Sequence, residues 1–492
     1  MLDNFALAFD LVFTLRVLMA LAAGIFIGYC VGAMPGLTSS IGMALLIPFT
    51  FNLDAISAIV MLVAIYMAAD YAAGIPAILV NAPGQPAAAV TAFDGYPMVQ
   101  NGEAGKALNL SILSSASGAA ISIVLLILTA QMMAAAALSF GPAEYFALAV
   151  VGLSLIAVLS AGAATKAVIG LVFGLLITTI GIDPIRGSLR FVFTPLVIDG
   201  LPFLPALIGL FALSEVLMMI ERGNDRGGRL GKLPRASWSL MQIWPFRGAV
   251  LRSSLIGYII GVIPGAGASI ASLVSYGVQK KMSRTPDSFG KGNPEGVVAS
   301  ETANNAAVSG ALAPLLSLGV PGSASAAILI GALTIQGLQP GPLLFANRPE
   351  IPYSIFVSLI IGLPVMALIG LAGVPLWVRL TRIPPAAIAT LVASVCMLGA
   401  FASSNNTFEM QVMAVCGVVG YLMRKVGIHP APIVLALVLG DMMESNLRRA
   451  LLTSNDSLLF IVSKPIAAVL LGIAVIVLAS PAIAWLRARR AQ

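Results

Sequence analysis

Long apolar runs recur along this chain, and they limit what it can fold into more than any other feature. Residues 107–130, 145–181, 200–220, 353–378 and 465–486 each reach, or nearly reach, the length needed to cross a hydrocarbon core about 30 Å thick. Hydrophobic residues make up 59% of the 492 and charged residues 10%. Soluble domains carry about 25% charged residues, so a water-soluble fold of this size would have no polar surface to cover itself. The runs are rich in Gly and Pro, which bilayer helices tolerate better than soluble ones do. An all-α polytopic membrane protein follows.

The formal net charge of +7 does not point to nucleic acid, because the basic residues sit between apolar runs and not on one folded face. Arg222, Arg226, Arg229, Lys232, Arg235 and Arg247 form one group, Lys280, Lys281 and Arg284 a second, and Arg487, Arg489 and Arg490 a third. That is the pattern of cytoplasmic loops. Cys30, Cys396 and Cys416 lie inside apolar runs without metal-ligand spacing, and read as small core residues. The first apolar segment follows an acidic leader (Asp3, Asp10) and has a counterpart later in the chain, so it reads as a span and not as a signal peptide.

That counterpart belongs to a duplication. Residues 28–41 read GYCVGAMPGLTSSI and residues 257–270 read GYIIGVIPGAGASI, with Gly, Tyr, Gly, Pro, Gly, Ser and Ile at matching offsets. Pro76 stands seven residues before Pro83-Gly84, as Pro314 does before Pro321-Gly322. Gly181-Ile182-Asp183-Pro184 is answered by Gly427-Ile428-His429-Pro430. The expected organisation is a first transmembrane repeat (1–220), a basic cytoplasmic linker (221–247), a second repeat (248–463) and an extra C-terminal span with a basic tail (464–492). With a weakly basic N-terminus outside and the linker inside, each repeat crosses an odd number of times. The two are then inverted in topology, an arrangement common among secondary transporters.

Pro-Gly inside a membrane segment reads as a deliberate break, since Pro removes a donor and clashes with the preceding turn. Broken backbone at that depth survives only when buried in protein or lining a wet cavity. A helix restarting after the break points free N–H groups at that cavity, which suits a carboxylate. Four such breaks stand here: Pro35-Gly36, Pro83-Gly84, Pro264-Gly265 and Pro321-Gly322. They are followed by Thr38, Ser39 and Ser40, by Gln85, by Ser269, and by Ser323 and Ser325. The plainer alternative is a set of tight turns at the membrane surface. Asn81, Asn304 and Asn305 join the candidate substrate-binding residues, as amides in apolar sequence usually line a pathway; the alternative is hydrogen bonding that merely holds helices together. Asp70 and Glu301 are the candidate ion-coupling groups. Asp70 has no basic residue within a helical turn or two, while Glu301 falls near Lys291 and Glu295, towards the interface. Asp183, Glu215, Asp441 and Glu444 read as interfacial, and His429, the one histidine, as structural.

At these residues the chain resembles the large membrane subunit of the tripartite tricarboxylate transporter family, from about residue 15 to 460. The resemblance rests on GYxxGxxPGLT at 28–38, AILVNAPGQPAAAVTAFDGYPM at 77–98, ETANNAAVSGALAPLLSLGVPGSASAA at 301–327 and QGLQPGPLLF at 336–345. It implies import of an organic acid across the bacterial inner membrane, driven by a gradient of Na⁺ or H⁺ with no other cofactor. It also implies two partners, a small four-helix membrane subunit and a periplasmic substrate-binding protein. Where the family tends to have Tyr-Gly-Gly-Ser before its first Asn-x-Pro-Gly, this chain has Tyr71-Ala72-Ala73-Gly74, and one hydroxyl is missing. The chain has no GxxxxGK[ST] phosphate loop. Competing readings are a membrane-embedded enzyme, a channel-like bundle, or a stand-alone carrier for another anion. The first lacks HExxH and any paired aspartyl motif joining Asp70 to Asp441, and the second leaves the duplication unexplained.

Overall fold

The computed structural model describes residues 2–159, 164–183, 185–223, 240–454 and 457–490, with backbone alone for 240, 403, 404 and 481–490. Most of the basic linker, including Arg226, Arg229, Lys232 and Arg235, lies outside the described residues, as does Pro184. Among the described residues seven helices are long and apolar enough to cross a membrane. The run 145–181 divides into the helices Pro142–Leu159 and Ala164–Thr178, and the last run becomes one helix, Pro465–Arg490. The one sheet described is a two-stranded hairpin pairing Gly181–Ile182 with Leu189–Arg190.

Polarity is distributed as a bilayer requires. Leu128, Leu368, Leu398, Val415 and Ile476 are exposed, while Asp70, Asn109, Glu301, Asn304 and Asn305 are buried. In water that exposed apolar area would be an aggregation hazard; in lipid it is the solvated surface.

Each of the two matching sequence blocks forms a helical hairpin, the first preceded by the helix Leu2–Val12. Leu15–Ala33 runs to a turn at Pro35-Gly36, and Ser39–Leu46 with the tight turn Ile47–Asn52 runs back. Arg16, at the start of the first arm, donates to the Asn52 carbonyl at 3.3 Å and pairs with Asp54 at 3.0 Å, so both arms return to one end. In the second half Arg247–Val262 turns at Pro264-Gly265 into Gly267–Met282, and Arg252 donates to Gln279 Oε1 at 2.8 Å across the open end. Gly36 (φ +85°) and Gly265 (φ +78°) sit in the left-handed region that both turns need.

The repeated GYxxG motif is a helix-crossing device. Gly24 and Gly28 face Ala55–Ala72, where a Cβ on Gly28 would come within 2.7 Å of the Ala68 Cβ. Gly257 and Gly261 face Pro294–Leu318, where Cβ atoms would stand 2.5 Å from the Ala303 and Ala307 carbonyl oxygens. Without side chains at these points the backbones pack directly. The tyrosines of the same motif tie the halves together. Tyr29 donates to the Met366 carbonyl at 2.8 Å in the second half, and Tyr258 bonds Thr129 in the first. Contacts therefore cross the boundary between 1–220 and 248–463 at equivalent places.

The repeated Pro76 and Pro314 also find a reason. The Pro76 carbonyl accepts from Ala82 N–H at 3.3 Å, and the Pro314 carbonyl from Val320 N–H at 3.2 Å. Each closes a helix whose next residue, Asn81 (φ +52°) or Gly319 (φ +72°), is left-handed.

Charged networks close the two ends. Glu215 pairs with Arg424 and Arg222, and Glu221 with Lys425. Away from them, Arg448 pairs with Asp183 at 2.5 Å and Glu444 at 2.8 Å, and Arg190 pairs with the same two acids, fastening the β-hairpin to Pro430–Thr453. His429 caps that helix, accepting from Ala431 N–H at 3.3 Å. The N–H groups of Arg186 and Ile185, with Arg448 and Arg190 beyond them, hold the Asp183 carboxyl below the usual carboxylate range against partial desolvation. A depressed value means stability present above the unfolded pKa, about 3.9, and lost as pH falls through the folded one. We expect the gap in thermal-unfolding midpoint between the parent and Asp183→Asn to be constant above about pH 4 and to close below it. A gap that persists unchanged into acid would show that the Asp183 charge contributes nothing.

Candidate functional site

The four breaks meet in the interior. The Ser39 and Ser40 hydroxyls bond the Ser325 hydroxyl at 2.9 and 2.8 Å, joining the first break to the fourth. The Gly265 N–H donates to the Gly322 carbonyl at 3.2 Å, joining the third to the fourth. A Cβ on Gly84 would lie 3.0 Å from the Leu37 carbonyl oxygen, so the second break abuts the first. Surface turns would not converge in this way. Four helices restart at this junction: Ser39–Leu46, Pro86–Gln100, Gly267–Met282 and Ala324–Ile335. The first N–H groups of a helix have no partner within it. Thr38 accepts from Ile41 N–H, and Ser323 from Ala326 N–H, satisfying one donor at each of two starts. Pro35, Pro83, Pro264 and Pro321 stand in the turns before the four restarting helices, and Ser269 is half-buried in the first turn of its helix.

Asp70 stands against the junction. Its carboxyl lies beside the Ser39 hydroxyl and the Gln85 amide. The Asn304 amide donates to the Asp70 carbonyl at 3.2 Å, and Tyr66, one helical turn before Asp70, bonds Ser323 at 2.8 Å. Tyr66 had no signal in the sequence beyond its place on the Asp70 helix.

Glu301 is not interfacial. It is 0% exposed, on Pro294–Leu318, and its Oε2 accepts from the Ser115 hydroxyl at 2.9 Å. Two turns of helix separate it from the loop that carries Lys291, and packing against Ala104–Ala137 covers it. The Asn305 amide donates to the Glu301 carbonyl at 3.2 Å. Gly74, the position where the missing hydroxyl was noted, faces this carboxyl: a Cβ there would be 2.6 Å from Glu301 Oε1 and 2.9 Å from Ser111 Oγ. Among the described residues no Lys or Arg pairs with Asp70 or Glu301.

Asn81 is exposed and serves as the left-handed cap already described. Asp441 lies apart from Asp70, in a cleft of about 870 Å³ between the β-hairpin, Pro430–Thr453 and the far end of Ala324–Ile335. Asp94, inside the quoted AFDGYPM block, was given no role in the sequence. Fully buried, it accepts from the N–H groups of Gly290, Gly292 and Asn293 at 2.8–2.9 Å and from the Tyr276 hydroxyl at 2.8 Å.

Residues 18–435 match the family described as the tripartite tricarboxylate transporter TctA family. The chain belongs to that family. Within the TctA family resemblance, an uncharacterised 52.8 kDa protein of the TAR-I ttuC' 3' region of Agrobacterium vitis is 35% identical over 482 residues, 97% of this chain and 96% of the relative. A second uncharacterised protein, of the TAR-II ttuC' 3' region of the same organism, is 36% identical over 236 residues, 48% of this chain and 98% of its own. No solved structure matches. As a TctA family member with seven long apolar helices among the described residues, the chain is a multi-pass membrane transport protein.

Proposed function

We propose that the chain is the large subunit of a secondary transporter that imports di- or tricarboxylates across the bacterial inner membrane. The observation that carries this is the meeting of Ser39, Ser40 and Ser325 at helix starts from both halves. Helix N-termini and hydroxyls donate to a carboxylate, and breaks from both halves build one site. A cleft of about 870 Å³ opens beside Ile330, Gly331 and Thr334 at the far end of the helix that Ser325 begins.

The halves are inverted repeats in this reading. One hairpin opens at the end that holds Arg16 and Asn52, where Gln336 also reaches the Thr50 carbonyl. The other opens at the end where Arg252 meets Gln279 and Gly292 lies against Met98. The second end carries Lys280, Lys281, Arg284 and Lys291 and is cytoplasmic by the positive-inside rule, with the N-terminus periplasmic and the C-terminus cytoplasmic. Cysteine labelling at Asn52 and Gly292 should come from opposite sides of the membrane, and labelling of both from one side would remove the inverted scheme.

A periplasmic binding protein delivers the acid, a small four-helix membrane subunit completes the complex, and a gradient of Na⁺ or H⁺ drives uptake, with Asp70 and Glu301 as the coupling groups. Uptake into vesicles should need an imposed ion gradient and both partners. Ser325→Ala removes one donor to a carboxylate and should raise the half-saturating substrate concentration about 10- to 150-fold. Saturable uptake by the isolated chain, at the rate of the full complex, would remove the partner-dependent reading. Parental affinity in Ser325→Ala would move the site elsewhere.

A further inference from the structure

Around Glu301 the protein leaves polar atoms unmatched. Glu301 Oε1, Ser111 Oγ, Ser114 Oγ, the Tyr71 hydroxyl and Asn305 Oδ1 are all buried without a hydrogen-bond partner. Glu301 Oε1 and Ser111 Oγ converge on Gly74, at 2.6 and 2.9 Å from where its Cβ would be, a closeness that a side chain there would forbid. Ser114 adjoins Ser115, which bonds the same carboxyl; Tyr71 lies one turn before Gly74, and Asn305 one turn after Glu301. The chemistry of the set has a sign. The Asn305 amide nitrogen is already committed to the Glu301 carbonyl, so its orphan atom is an acceptor, as is Glu301 Oε1. The three hydroxyls can each turn a lone pair inwards. What the pocket lacks is positive charge: the other charged group within its electrostatic reach is Asp70, also an acid. A carboxylate substrate would be repelled here.

We propose that this pocket is a sodium site, with Glu301 supplying the charge and Ser111, Ser114, Tyr71 and Asn305 the neutral oxygens. A single acid and otherwise neutral oxygens suit a monovalent ion, since divalent ions recruit several carboxylates. Among the described residues no group of three or more His, Cys, Asp or Glu could hold one. Resting on the transport reading above, the site also explains coupling. Asp70 stands against both the pocket and the junction of breaks, so a cation at Glu301 relieves the negative field where the acid binds. Sodium then binds first and the carboxylate second.

Thermal unfolding of the detergent-purified chain tests this, in sodium, potassium or choline chloride at equal ionic strength and fixed pH. Sodium should raise the midpoint saturably, and potassium and choline should not. Glu301→Gln should abolish the rise, and Ser111→Ala should increase the half-saturating sodium concentration roughly 10-fold, about the loss of one interaction with a charged group. Ser111→Ala keeps the test open should Glu301→Gln fail to fold. An unchanged sodium response in both variants would place the ion elsewhere. A midpoint that follows pH and ignores sodium would make Glu301 a proton site and overturn the proposal. Uptake by the full complex in sodium-free medium under a proton gradient would do the same, while leaving the transport reading intact.

Discussion

Asp94→Ala is expected to cost about 3–5 kcal/mol, since it removes the acceptor shared by four buried donors, each worth about 1–3 kcal/mol when left unpaired. The Asp94 carboxylate on Pro86–Gln100 reaches into the other half and accepts four hydrogen bonds. Three come from the backbone between Gly290 (φ +81°) and Asn293, where Gly292 (φ +103°) lets successive N–H groups point inwards as a nest. Gly296 packs against the same carboxyl, where any side chain would collide with it. Alanine would leave three N–H groups and a hydroxyl buried without an acceptor, and each such loss costs about 1–3 kcal/mol. Asp94→Asn keeps one oxygen for the nest and should cost less. Thermal unfolding in detergent separates the outcomes in the order parent, Asn, Ala. An Ala variant with the parental midpoint would mean that this cross-half tie does not hold the fold.

Gly322→Ala is expected to reduce uptake by the full complex about 10-fold or more, and Gly322→Val to abolish it, whereas Gly84→Ala should retain most activity. The two glycines each follow a Pro that stands seven residues after another Pro, but their surroundings differ. A Cβ on Gly322 would stand 2.6 Å from the Gly261 carbonyl oxygen and 2.8 Å from the Ala311 Cα, both backbone atoms of packed helices. Overpacking of that kind costs about 1–3 kcal/mol, and here it falls where the Gly322 carbonyl holds the third break. At Gly84 the nearest atom would be 3.0 Å away, and a shift of a few tenths of an ångström relieves the contact. Uptake normalised to folded protein reads the difference. Equal tolerance at both positions would show that the breaks do not depend on close approach at Gly322.

Much of this was legible in one dimension. The apolar runs and the four Pro-Gly breaks are local statements, because a helix that spans or stops does so by its own residues. The quoted blocks led to the family for the same reason. Where the sequence misled, it lacked the third dimension. That the Asn81 backbone is left-handed and closes Gly74–Val80 has no signal in the apolar run around it. Glu301 seems close to Lys291 along the chain, yet helix packing sets it against Ser115 and Gly74 instead.

The sequence by itself determined that this is a polytopic membrane transport protein whose helices break at four places, since hydropathy and Pro-Gly chemistry act over a few residues. Tertiary structure alone decided that Ser39 meets Ser325, 286 residues away, that Asp94 seats in the backbone near Gly292, and that Gly74 faces Glu301. In a bilayer every helix face is apolar enough to meet lipid, so hydropathy does not say which faces pair. That choice belongs to small residues that let backbones approach and to buried polar groups that must find partners, and both are satisfied only across the assembled bundle.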